Sequence, residues 1–230
     1  MKPTVLLFDI DGTLITTGGV GKRALELVFD EAFGRGDVFG EFRLDGMTDR
    51  AIVRAALLAA GRPATGEEID RVLAAYVEVL EREVARADLR QYRLHAGMQQ
   101  AVDEALSHGH IAVGLGTGNI REGARVKLSR VGIYHRFAFG GFGSDHEDRT
   151  ELIRIGAERG AAKLGVPLAE CRIVVIGDTP KDVAAAKGIG AEAVGVATGH
   201  FSVEQLVRAG ADRAFRDLDE KGAIRALIGA

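Results

Sequence analysis

The chain has one cysteine among its 230 residues, Cys171, so no internal disulfide can form. A packed, inert thiol in a reducing compartment is expected. Long apolar runs are also missing. The N-terminal "VLLF" is closed by Asp9, too early for the core of a secretory signal, and no stretch reaches the roughly 18 apolar residues of a membrane span. The expectation is a cytoplasmic protein with no membrane partner. Charge of one sign is nowhere concentrated: the net charge is −3, and Lys and Arg are interspersed with Asp and Glu. Nucleic acid is therefore not an expected partner. Internal repeats, low-complexity segments and the GxxxxGK[ST] loop of nucleotide hydrolases are absent as well. What is present is a globular composition, 47% hydrophobic and 27% charged, at a length that can bury a large core or a core plus an inserted unit.

The segments "TVLLF" (4 to 8), "IAVGLGT" (111 to 117), "RIVVIGD" (172 to 178) and "EAVGVAT" (192 to 198) have no polar face. That is the pattern of parallel strands covered on both sides. Helical patterns lie between them, at 97 to 109, 121 to 132, 150 to 165 and 181 to 190, which argues for an α/β fold with a parallel sheet. Residues 16 to 91 break the alternation with three helical patterns and no convincing strand. They read as an all-helical cap inserted after the first strand, leaving 1 to 15 and 92 to 230 as the core. "TTGGVG" (16 to 21) and "DLRQYRLHAG" (88 to 97) would be the two connections.

In an open parallel sheet, ligands bind outside the carboxyl ends of the strands. Those ends carry Asp9 and Asp11 in "LLFDIDGTLI", then Thr117, Gly118 and Asn119, then Asp178 and Asp182, then Thr198 and Gly199. Asp, Thr and Gly gather at any strand end because turns and caps use them. Four carboxylates on two loops beside a Thr-Gly-Asn loop point further, to phosphoryl transfer with a hard metal. Clustered carboxylates repel one another unless a cation such as Mg²⁺ sits among them. Asp178 and Asp182, four apart in "GDTPKD", would lie near each other if the turn continues as helix. Thr117 and the Gly118 amide would receive a phosphate.

"FDIDGT" (8 to 13), "GLGTGN" (114 to 119) and "GDTPKD" (177 to 182), in this order with a helical insert after the first, resemble the haloacid-dehalogenase-type hydrolases. The likeness is greatest to the branch of phosphoglycolate phosphatase and β-phosphoglucomutase. The resemblance implies a Rossmann-like core in which Asp9 attacks phosphorus to give an aspartyl-phosphate and Asp11 serves as general acid and then base. It also implies Mg²⁺ held by Asp9, the main-chain carbonyl of Asp11 and Asp178, with Asp182 supporting through water. Thr117, Gly118 and Asn119 would surround the phosphoryl oxygens. Asp11 argues against true dehalogenation, since that branch lacks the second acid.

One motif departs from the family pattern. A Lys usually stands at the start of the helix before the "GD" strand, and here the segment reads "GSDHEDRTELIRIG". Arg149 at the helix start is expected to take that role, its planar fork suiting phosphate oxygens. Lys163, late in the same helix, and Lys127, in the helix before, are expected to be less well placed. In the cap, "RLDGMTDR" (43 to 50) resembles the loop that such caps point at the leaving group, which makes Asp49 and Arg50 candidate substrate contacts, although a capped helix start looks the same. The six histidines show no metal spacing and read mostly as surface or loop residues. The expected activity is a Mg²⁺-dependent phosphatase of a small phosphorylated metabolite, working as a monomer or homodimer. Phosphoglucomutase, phosphonate hydrolysis and non-catalytic phosphate binding are the alternatives.

Overall fold

The first strand, β1 (Thr4–Phe8), is buried along its whole length. In a strand, alternate side chains point to opposite faces, so Val5 and Leu7 enter one apolar cluster while Leu6 and Phe8 enter another. The computed structural model describes residues 2 to 40 and 43 to 229. After β1 the chain forms β2 (Ile15–Thr16), the cap helices α1 (Val20–Phe33), α2 (Asp49–Ala59) and α3 (Gly66–Arg86), and β3 (Arg93–Leu94). It continues through α4 (Met98–Ser107), β4 (Ile111–Thr117), α5 (Arg121–Arg130), β5 (Gly140–Phe142), α6 (Arg149–Leu164) and β6 (Arg172–Gly177). Then come α7 (Pro180–Gly188), β7 (Glu192–Val196), α8 (Val203–Arg208), β8 (Arg213–Phe215) and α9 (Ala223–Ile228).

Six strands form one sheet in the order β5-β4-β1-β6-β7-β8, and every pairing in it is parallel. Counted among themselves, these strands run 3-2-1-4-5-6, so the chain order reverses beside β1. A doubly wound sheet opens its ligand crevice at that reversal. β5 and β8 were not legible as strands: each has three residues, and β5 is "GGF", which gives no alternation to read.

The cap helices form because their apolar residues recur at helical spacing. In α3, Ile69, Val72, Leu73, Tyr76, Val79, Leu80 and Val84 are buried on one stripe, and the Thr65 hydroxyl caps its first turn by accepting from the Glu68 amide. That stripe packs against α1, α2 and the core helix α5. The two connections between cap and core do not run separately. They pair with each other as a short antiparallel ribbon, Ile15 opposite Leu94 and Thr16 opposite Arg93. No helix among the described residues is long and apolar enough to cross a membrane.

Candidate active site

The acidic turn after β1 is held from several sides. The Asp9 amide donates to the Ile176 carbonyl at 2.9 Å, and the Gly12 amide closes the turn onto the Ile15 carbonyl. Gly12 has φ of 79°, and a Cβ there would stand 2.4 Å from Asp178 Oδ2. Both the backbone and the packed carboxylate therefore require glycine. The Thr13 hydroxyl donates to Asp178 Oδ1 at 2.9 Å, and the Thr198 hydroxyl donates to the Gly12 carbonyl. The loops after β1, β6 and β7 thus converge on one another.

Asp9, Asp178 and Asp182 are all buried and each offers a carboxylate oxygen within 4.8 Å of the others. Asp178 and Asp182 do not share a helix face, because Asp178 precedes the cap residue Thr179 and α7 begins at Pro180. A capping box brings them together instead: Asp182 Oδ2 accepts from the Thr179 amide and hydroxyl at 3.0 and 2.7 Å. Asp182 Oδ1 accepts from Arg149 Nη2 at 2.5 Å. The same Nη2 lies 3.1 Å from Asp9 Oδ2. Arg149 is the first residue of α6, and the Asp148 carboxylate caps that helix.

Burial is the largest influence on the protonation of these carboxyls and disfavours their charged form. It pushes the Asp9 carboxyl above the ordinary range; Arg149 and the Thr117 hydroxyl pull it back, while the Asp182 and Asp11 carboxylates push it up. Asp178 is raised further, by burial first and then by Asp182 and Asp9. For Arg149 burial opposes the charge, but Asp182 and Asp9 outweigh it and hold the guanidinium ionised. This pocket is short of positive charge, as expected of a site built around a hard cation.

Asp11 points elsewhere. Its Oδ2 accepts from Asn119 Nδ2 at 2.8 Å and from Lys127 Nζ at 2.7 Å. Lys127 is almost fully buried; its carboxylate partner is Asp11, whereas Arg149 is the cation beside Asp9. Burial lowers the pKa of its ammonium, and the Asp11 and Asp49 carboxylates more than reverse that. The signal was available: Lys127 stands three residues after Ala124 and seven after Ile120, on the buried face of α5. Lys163 is exposed in the last turn of α6. Thr117 is buried, and its hydroxyl accepts from both the main-chain and side-chain nitrogens of Asn119.

The cap loop is seated on these elements. The Asp49 amide donates to the Gly118 carbonyl at 2.8 Å, and a Cβ on Gly118 would fall 2.3 Å from the Met47 carbonyl oxygen. The Thr48 hydroxyl donates to the Glu147 carbonyl at 3.0 Å, and Arg54 grips the Glu147 carboxylate through Nε and Nη2. A cavity of about 580 Å³ remains beneath, lined by Asp9, Asp11, Gly118, Asn119, Arg149 and Asp178 from the core and by Lys22, Arg43 and Asp49 from the cap. His95 and His200 also line it. Arg50, an expected substrate contact, does not: it turns along the cap surface and pairs with Asp70 on α3.

Asp49 has a structural task. Its Oδ2 accepts from the Ile120 amide at 2.9 Å, so a cap residue closes the start of core helix α5. Burial lifts its pKa from 3.8 to about 6; Lys127 and the Ile120 amide oppose this, and Asp11 reinforces it. Between those two values the folded protein holds a proton that the unfolded chain has released, so stability falls as pH rises through that window and levels off above it. Asp49→Asn should remove this slope and raise stability above about pH 6 by up to about 3 kcal/mol. Melting temperatures of both proteins from pH 4 to 8 test it, and parallel curves would refute it.

The sequence model for haloacid dehalogenase-like hydrolases matches residues 6 to 187, and a second, HAD-hydrolase-like, matches 155 to 221. No curated protein matches the sequence significantly. Among solved structures, a hydrolase from Pseudomonas syringae is similar at 23% identity and a TM-score of 0.67, over 94% of each chain. CbbY from Rhodobacter sphaeroides, solved in complex with phosphate, is similar at 20% identity and a TM-score of 0.72, over 99% of each chain. A variant of that protein has been solved in complex with xylulose-1,5-bisphosphate. At these identities the structures establish the shared fold. The sequence match spans well over half of the chain and takes in the loops that carry Asp9, Asp11, Thr117, Arg149, Asp178 and Asp182, so the chain belongs to the haloacid dehalogenase-like hydrolase family.

Proposed function

We propose that this hydrolase is a Mg²⁺-dependent phosphatase of the cytoplasm, acting as a monomer or homodimer on a small phosphorylated metabolite, with phosphoglycolate or a sugar phosphate as the first candidates. The observation that carries the reading is Arg149 Nη2, 3.1 Å from Asp9 Oδ2. It is a permanent positive charge beside the oxygen that would attack phosphorus. The phosphate bound to CbbY, on the same fold, agrees with this reading.

The donor set fits a magnesium ion, being buried, oxygen-rich and short of cations. Both oxygens of Asp182 are already engaged by Arg149 and Thr179, so Asp9, Asp178 and the Asp11 main-chain carbonyl would hold the ion, with Asp182 behind them. When bound, Mg²⁺ would supply charge to the phosphoryl oxygens. Asp9 would attack phosphorus as the ester P–O bond breaks, and Asp11 would give its proton to the departing alkoxide. Water would then attack the aspartyl-phosphate, its proton passing to Asp11, to release phosphate and restore Asp9. Arg149, Thr117 and the Gly118 amide would orient the phosphoryl group.

The test is release of p-nitrophenol from p-nitrophenyl phosphate. Turnover should require Mg²⁺, fall to background in excess EDTA, return when Mg²⁺ is restored and drop when Ca²⁺ replaces it, because Ca²⁺ takes more ligands in a looser geometry. Full turnover in EDTA would sink the metal assignment. No turnover of any phosphate ester with Mg²⁺ would sink the phosphatase reading, and a panel of phosphorylated metabolites ranks the substrates.

A further inference from the structure

Lys127 is the one charged side chain on the buried face of α5, where an apolar residue would pack without desolvating an ion. Burying an ammonium is costly unless every donor finds a partner. Here it donates to Asp11 Oδ2 at 2.7 Å and to Asn119 Oδ1 at 2.6 Å. Asn119 completes the triangle, giving its Nδ2 to the same Asp11 oxygen at 2.8 Å and to Thr117 Oγ1 at 2.9 Å. The chemistry allows only this orientation of the amide. An ammonium only donates, and Asp11 Oδ2 accepts from both groups, so Asn119 turns its oxygen to Lys127 and its nitrogen to Asp11.

Both donors fall on one Asp11 oxygen, and among the described residues Oδ1 accepts no hydrogen bond. The lysine is itself held in place. The Tyr92 hydroxyl donates to the Lys127 carbonyl at 2.8 Å, and a Cβ on Gly21 of the cap would stand 3.3 Å from Nζ. Arg149 occupies the opposite side of the site, on Asp9 and Asp182. The two buried cations therefore divide the acidic pair: one faces the expected nucleophile, the other the expected proton donor.

We propose that Lys127 is a positioning residue for Asp11, its ammonium and the Asn119 amide fixing the carboxyl by one oxygen so that the other is left for the ester oxygen of the leaving group. The proposal rests on the phosphatase reading above. A residue that acts through the proton donor matters most when the leaving group needs a proton. The phenol released from phenyl phosphate has a pKa near 10, and p-nitrophenol is a much better leaving group. Because kcat/KM reports steps up to the first cleavage, it isolates this effect from the later attack of water.

The experiment compares kcat/KM for phenyl phosphate and p-nitrophenyl phosphate in the wild-type protein, Lys127→Met and Lys127→Gln, with melting curves for all three. In Lys127→Met, kcat/KM on phenyl phosphate should fall at least about tenfold more than on p-nitrophenyl phosphate. Lys127→Gln, a shorter neutral donor, should lie between, and it carries the test if the Met variant does not fold. Equal losses of kcat/KM on both esters would overturn the proposal while leaving the phosphatase reading intact. A wild-type protein that hydrolyses neither ester would overturn both.

Discussion

Asp9→Asn is expected to lose turnover by roughly a thousandfold or more, to background, while melting no lower than the wild type. Burial disfavours the charged form of this carboxyl, so a neutral side chain of the same shape relieves an electrostatic cost even as it removes the proposed nucleophile. Asp11→Asn should fail differently. It would keep the proposed nucleophile and lose the proposed proton donor and base, so the first step should slow least for a good leaving group. The aspartyl-phosphate then accumulates because the attacking water has no base. Intact-mass measurement after rapid quenching should show a phosphate adduct on the Asp11 variant and none on the Asp9 variant. Turnover by Asp9→Asn, or an adduct on it, would require the mechanism to be withdrawn.

Arg149→Ala is expected to lower kcat/KM at least about a hundredfold, which corresponds to roughly 2.7 kcal/mol of transition-state stabilisation. The variant should also melt lower, since it leaves Asp9, Asp178 and Asp182 without their buried guanidinium. Kinetics must therefore be read well below its melting temperature. Arg149→Lys should recover part of the loss. One ammonium can approach Asp9, but it has no planar fork to span Asp9 and Asp182 together. Wild-type kinetics in the Ala variant would remove Arg149 from the reaction.

The sheet was readable wherever a strand was long and apolar, and so were the three cap helices, because strand and helix leave different periods in the sequence. Asp9, Thr117 and Asp178 could be gathered at one site because strand ends in a parallel sheet share an edge, and Arg149 joined them only through the family resemblance. Other features depended on where side chains go after the backbone is placed. Arg50 and Asp49 are adjacent in sequence, yet one reaches out to Asp70 and the other in to the Ile120 amide. Rotation along a helix separates neighbours by about 100°, and the loop pattern alone does not give its phase. The pairing of Lys127 with Asp11 and Asn119 is not legible in the sequence because its partners lie 116 and 8 residues away. Only the packing of α5 beside the acidic turn brings them together.

The ribbon of β2 and β3 has a mechanical meaning. Two separate strands of chain crossing between two bodies would permit twisting, sliding and tilting. Zipped side by side through Ile15, Thr16, Arg93 and Leu94, they act as a single leaf spring whose soft direction is bending across its own plane. Beside the ribbon lie Gly18 and Gly19, at φ of 59° and 79° on one crossing, and the exposed turn at 88 to 91 on the other. Any motion of α1–α3 against the sheet would have to bend this ribbon, and the bend would begin four residues after Asp11.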